Sequence, residues 1–187
     1  MVLALPVLAA LVVGVALGGR PGNLARLSLR ASWLFFAAIA LQVVAFPFGF
    51  LPWRTHEAVA TLLWLTSYAL LIGAAVLNRR ITGVPLVALG MGMNVVAVAA
   101  NGGTMPVLPE AMHAAGGDHA TYANSTAAAD PNLSWLVDRW AVPDWVPLAN
   151  VFSVGDVLIA AGAAVIVLAA MGVRLPGPVA RERPREG

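Results

Sequence analysis

Residues Ala58–Leu77 read AVATLLWLTSYALLIGAAVL and are followed at once by Asn78-Arg79-Arg80. The twenty residues carry no charge, and two arginines close them. A bilayer hydrocarbon core about 30 Å thick takes roughly 20 helical residues at about 1.5 Å each, so this stretch has the length of one crossing. Helix is the only local structure that suits it, because lipid leaves exposed backbone N–H and C=O groups without partners. Four more runs have the same character: 1–18, 31–51, 82–100 and 154–173. Together they predict an all-α integral membrane protein. It is a five-transmembrane-helix bundle forming one membrane domain over 1–173, with one long outer loop, 101–153. A cytoplasmic tail, 174–187, is expected to be disordered.

The arginines give the orientation. Arg20, Arg26 and Arg30 lie in the connector 19–30, Arg79 and Arg80 in 78–81, and Arg174, Arg181, Arg183 and Arg185 in the tail. Those alternate segments hold all but Arg54 and Arg139, and positive charge favours the cytoplasmic side. The N-terminus is therefore expected outside and the C-terminus inside. The first run has no preceding positive charge, which sets it apart from a secretory signal and predicts an uncleaved span. Gly14 and Gly18 within it are spaced to let another helix approach closely, a pattern that a chain rich in Gly and Ala also produces by chance.

Composition agrees. Of 187 residues, 60% are hydrophobic and 11% charged, against roughly 25% charged in soluble domains. A soluble fold has too little polar surface to cover so apolar a chain. All eleven basic residues are Arg, which with the abundance of Ala, Val, Gly and Leu points to a GC-rich bacterial genome and a plasma-membrane location. The net charge of +2 comes with no basic cluster interleaved with aromatics, so nucleic acid is not an expected partner. Cysteine is absent, which excludes disulfides, thiolate metal sites and cysteine nucleophiles.

Punctuation falls near the ends of the runs. Pro85 suits the first turn of the fourth helix, where a missing N–H is harmless. Asn101-Gly102-Gly103 supplies residues that tolerate a left-handed backbone at that helix's end. Pro47 is placed to kink the second. Within 101–153, the string Pro109–Ala115 predicts a short helix stopped by Gly116-Gly117, and 118–132 is small, polar and expected to be mobile. Trp135, Trp140 and Trp145 then alternate with aliphatic residues. Indole rings favour the membrane interface, so this part is expected on the outer leaflet surface, as an aromatic belt or as a surface that stacks a ligand.

Few residues suggest chemistry. Asp156 is an acid at or inside the fifth span, and intramembrane acids are costly and usually functional. Ser153-Val154-Gly155-Asp156 also spells a capping box, with Ser153 as N-cap and Asp156 at the third helical position, so both readings stand. Gln42, Thr66, Ser67, Tyr68 and Asn94 fall near the midplane, either as interhelical hydrogen bonds or as part of a polar path from Asn94 past Asn101 toward Asp156. Asn94, Asn101, Ser153 and Asp156 are the candidate polar site. His113, His119, Glu110 and Asp118 do not match zinc spacing, and no metal or cofactor is expected. No phosphate loop, nucleophile elbow or HExxH is present.

Two strings, Asn101-Gly102-Gly103-Thr104-Met105-Pro106-Val107 and Asn150-Val151-Phe152-Ser153-Val154-Gly155-Asp156-Val157-Leu158-Ile159, join with Asp144-Trp145-Val146-Pro147 and the five-run layout. In these the chain resembles a domain-of-unknown-function family of small bacterial multipass membrane proteins. The resemblance implies a five-helix unit and a plasma-membrane location, and it implies no activity. The chain is thus expected to be a non-enzymatic membrane component. It would bind lipid, a protein partner or a second copy of itself through its outer face. A small proton-coupled carrier, or an enzyme acting on a lipid-borne substrate with Asp156 as acid/base, are the alternatives.

Overall fold

The computed structural model describes residues 4–46, 55–116, 125–146 and 150–174. The chain is predominantly helical. Five longer helices stand where the five apolar runs lie: α1 Ala4–Ala16, α2 Trp33–Ala45, α3 Glu57–Leu77, α4 Val84–Ala100 and, after a short α5 (Pro109–Ala114), α6 Val154–Ala170. Four short strands, β1 Met105–Val107, β2 Ser125–Ala127, β3 Trp140–Val142 and β4 Asn150–Phe152, fall between α4 and α6.

Apart from α3, the described helices are shorter than the runs. Among the described residues only α3 is long and apolar enough to cross a membrane by itself. α1 and α2 have 13 residues each and α4 and α6 have 17, or roughly 20–26 Å of axis. Local signals set some of these ends. Gly83 (φ 96°) precedes α4 with Pro85 in its first turn, and Gly102 and Gly103 (φ 75° and 98°) end that helix in the left-handed region. Pro47, Arg54, Asp118, His119 and 175–187, with the expected kink and disordered tail, lie outside the described residues.

α2 packs on α3, α3 on α4, α4 on α6 and α6 on α1. The first three pairs are antiparallel. Arg30 meets Asn78 while Gln42 meets Ser67, and Gly83 lies against Gly162 while Gly90 lies against Gly155. That last pair of contacts is two turns apart on each helix, so α4 and α6 touch backbone to backbone. A Cβ on Gly162 would sit 2.8 Å from the Gly83 carbonyl oxygen and 2.6 Å from Val87 Cγ2. Of the two small residues noted in the first run, Gly14 abuts Met171 at the C-terminal end of α6, while Gly18 faces open space and supplies a positive φ.

One end of the bundle collects the basic connectors. The Arg20 amide donates to the Met171 carbonyl, and Asn78, buried at the end of α3, accepts from the Arg30 amide at 2.8 Å and donates to its carbonyl at 2.9 Å. Arg79 and Arg80 follow directly, exposed.

At the other end, residues 101–153 differ from the expected loop. β1 and β2 pair in parallel, β3 and β4 antiparallel, and an isolated bridge joins Val107 to Asp138. Strand β2 falls inside the stretch 118–132 that composition marks as mobile. The reason is tertiary: its three residues have β1 to pair with, which composition cannot register. Val107, Ala111, Met112, Ala115 and Val151 form a small core of this lobe. Met105 and Leu136 pack into the bundle beside Trp64, Ala97 and Val98.

The outside of the bundle is apolar. Val12 is 70% exposed, Phe36 72% and Leu62 63%, whereas Ser67 and Asn94 are buried. Only 28% of the apolar window of α3 is buried, far less than a core helix of a soluble domain would bury.

Candidate functional site

Three of the four candidate residues come together where α4 meets the first turn of α6. Ser153 has extended backbone (φ −106°, ψ 173°) and caps α6. Its hydroxyl oxygen accepts from the Asp156 amide at 3.1 Å. The Asp156 carboxylate in turn accepts from the Ser153 amide at 3.0 Å. Both halves of the capping box are therefore formed, and the carboxylate sits at the positive end of the helix dipole.

The cap also reaches across helices. The Asn94 side chain donates from Nδ2 to Asp156 Oδ1 at 2.9 Å, and its Oδ1 lies 2.9 Å from Ser153 Oγ. Ser153 Oγ is also 3.0 Å from Asp156 Oδ2. The single hydroxyl proton of Ser153 is within reach of both acceptor oxygens. Ser153 is fully buried and Asn94 is 4% exposed. Asn94 fits here because residue 155 is glycine: a Cβ there would meet the Asn94 carboxamide. The Tyr68 hydroxyl of α3 lies within reach of Asn94 and adds a third helix.

Asn94 lies ten residues after the start of α4, close to the middle of that helix, and its partner is in the first turn of α6. One expectation is corrected by this geometry. Asn101 does not join the site. Its Nδ2 donates to the carbonyls of Ala97 and Asn132, and its Oδ1 accepts from the Asn132 amide at 2.8 Å. Asn132 returns a bond to the Ala100 carbonyl at 3.0 Å. Asn101 therefore fastens the lobe to the end of α4. Gln42 and Ser67 form an interhelical bond of 3.0 Å between α2 and α3, apart from the site.

One residue that sequence reasoning passed over belongs beside this network. Asp138 is 6% exposed, in the lobe, with its backbone tied to Pro106 and Leu108. Burial, and secondarily the charge of Asp156, push its carboxyl up to about 7. Its signal in the sequence is slight: a lone acid directly after Leu136 and Val137, in a segment legible only as Trp-rich.

The tryptophans of the lobe face outward, Trp135 at 54% and Trp145 at 80% exposure. Trp140 stacks on Phe152 at 5.8 Å with the Arg139 guanidinium 5.5 Å from its ring. No group of three His, Cys, Asp or Glu able to hold a metal occurs among the described residues.

The fold and the site thus define a class: a small helical unit with a folded lobe at one end, seated over a buried polar network. The chain belongs to a family of unknown function, DUF5317, whose profile matches residues 26–168. That span takes in α2 to α5, all but the last two residues of α6, and every residue of the network. No curated protein and no solved structure matches the chain.

Proposed function

We propose that this protein is a multipass component of a bacterial plasma membrane, crossing five times with its N-terminus outside and its C-terminus in the cytoplasm. It is non-enzymatic, and its lobe is an external platform for lipid or a protein partner. The observation that carries the reading is the inverted distribution of polarity. Large aliphatic and aromatic side chains cover the outside of the helices, and small or polar ones fill the contacts between them. In water such a surface drives association, whereas in lipid it has no cost. The helices of 13–17 residues are compatible with it, since short apolar segments are accommodated by local thinning of the bilayer and by flanking residues. Charge supports the orientation, with Arg20, Arg26, Arg30, Arg79 and Arg80 in connectors at one end.

Because the chain has no cysteine, single-cysteine variants test this cleanly. Ala129→Cys, in an exposed position of the lobe, is expected to react with a membrane-impermeant thiol reagent on spheroplasts. Arg80→Cys is expected to react only after permeabilisation. Equal labelling of both in sealed spheroplasts, or recovery of the protein in the soluble fraction, would refute the reading.

A second reading, a small proton-coupled carrier, is favoured by one observation: Asp156 bonds across helices to the buried Asn94, and the lobe holds a further acid, Asp138, that is buried. Reconstituted protein that moves protons across liposomes, and loses that movement in Asp156→Asn, would shift the conclusion to it.

A further inference from the structure

β3 and β4 carry an arginine to the N-terminal end of α6. Trp140 and Phe152 are directly opposed across the antiparallel pair, and their rings stack with centroids 5.8 Å apart. The Arg139 guanidinium lies over the Trp140 ring, 5.5 Å from its centroid, within reach of a cation–π attraction. Phenyl ring, indole and guanidinium thus form one stack. The backbone fixes it as well, since the Arg139 amide donates to the Phe152 carbonyl at 3.2 Å. Phe152 is followed at once by Ser153, the cap of α6. Val157, one turn into that helix, is 47% exposed, so apolar surface begins on α6 directly after its cap.

Arg139 differs from the arginines of the basic connectors. Those lie at the other end of the bundle, where the Arg20 amide meets the Met171 carbonyl at the close of α6. Arg139 is exposed, as is Trp140, and among the described residues its guanidinium has no carboxylate partner. Stacking occupies a face of the guanidinium and leaves its N–H edge, a planar fork that matches two oxygens of a phosphate. The charge calls for an anion. The indole calls for surroundings that are half apolar, because such rings favour the level of lipid headgroups. A phosphodiester at the surface of a bilayer satisfies both.

We propose that Arg139, held on Trp140, binds the phosphate of an anionic phospholipid in the leaflet that meets the lobe. This rests on the reading that the chain spans a membrane, and it gives the lipid at the lobe a chemical class and a place. Phosphatidylglycerol is favoured over phosphatidylcholine, whose own ammonium competes for the phosphate and is repelled by the guanidinium. One arginine at an anionic surface shifts binding by about fivefold.

Amide exchange at Arg139 and over Trp140–Val142, corrected for intrinsic rates, is measured on the full chain in nanodiscs. One set is phosphatidylcholine alone, the other phosphatidylcholine mixed with phosphatidylglycerol. Exchange is expected to slow about fivefold in the mixed discs. Arg139→Gln leaves the backbone bond to Phe152, which needs no side chain, and is expected to abolish the difference. Arg139→Lys keeps the charge without the fork, and Trp140→Ala keeps the charge without its platform. Each is expected to retain only part of the slowing. Equal exchange in the two lipids, or slowing that survives Arg139→Gln, overturns the proposal while the membrane reading stands on the cysteine labelling. Slowing of the same size by inorganic phosphate in phosphatidylcholine discs would make this a site for a free anion and overturn the lipid assignment. Recovery of the chain as a soluble protein overturns both the proposal and the reading beneath it.

Discussion

Gly155→Ala bears most directly on whether the contact between α4 and α6 has the geometry described. The added Cβ would lie 2.7 Å from Asn94 Cγ and 2.7 Å from the Gly90 carbonyl oxygen, inside the closest approach of real side chains. The obstacle on one side is backbone, so it cannot rotate away. On the other side it is the carboxamide that bonds Asp156 and Ser153. Forcing a methyl group into a packed contact costs about 1–3 kcal/mol. Displacing Asn94 forfeits two buried hydrogen bonds at about 1 kcal/mol each. The sum, about 3–5 kcal/mol, corresponds to a fall in Tm of roughly 10 °C for a chain of this size. Gly92→Ala provides the contrast. It lies inside α4, two residues or about half a turn from Gly90 and so on the opposite face, with nothing within 4 Å of a Cβ. Alanine there gains about 1 kcal/mol of helix propensity. Tm is measured for both variants and the parent in the same detergent by circular dichroism, with tryptophan emission as a second probe. If Gly155→Ala melts with the parent, or both variants lose stability equally, the backbone-to-backbone contact and the seating of Asn94 against it are wrong.

Asn78→Ala removes a buried side chain that accepts from the Arg30 amide and donates to two carbonyls. We expect a loss of about 2–3 kcal/mol, read as a lower Tm, with proteolysis appearing first at the connector preceding α2. Asp156→Asn is expected to keep the fold and lose less than about 1.5 kcal/mol in chemical denaturation. An amide still caps a helix, and Asn94 can turn over to pair with it. Asn94→Ala, which leaves the carboxylate short of a donor, is expected to lose about 1–3 kcal/mol on the same measurement. Ser153→Ala is expected to cost about 1 kcal/mol by removing the cap. Asn132→Ala breaks the side-chain bond to Ala100 and weakens the fastening of the lobe to α4. Faster amide exchange at 128–134, with the helices unchanged, is the expected result.

How far the sequence carries can be judged element by element. The apolar runs place the five longer helices, because a run without charges between arginines or glycines allows little else. α3 matches its run to within a residue, while α2 starts two residues into its run and closes at Phe46. The run records only where apolar residues continue, whereas the end of a helix depends on what its last carbonyls find to bond. Phe46, for instance, closes α2 onto the Gln42 carbonyl well before apolar sequence gives out. The cap of α6 was legible in full, since all of its atoms lie within four consecutive residues.

What the sequence by itself determined is therefore local: which segments are helical, where Ser153 and Asp156 cap α6, and which connectors hold the arginines. Only the tertiary structure decided which polar residues meet. Asn94 and Asn101 lie two turns apart on one helix and look equivalent in the chain. Yet Asn94 faces Gly155, whose missing side chain leaves room for its carboxamide, and Asn101 faces Asn132. Likewise β2 is a strand because β1 lies beside it, and Asp138 is buried because the lobe folds over the bundle. Pairing and burial depend on partners distant along the chain, and neither is encoded in the residues that undergo them.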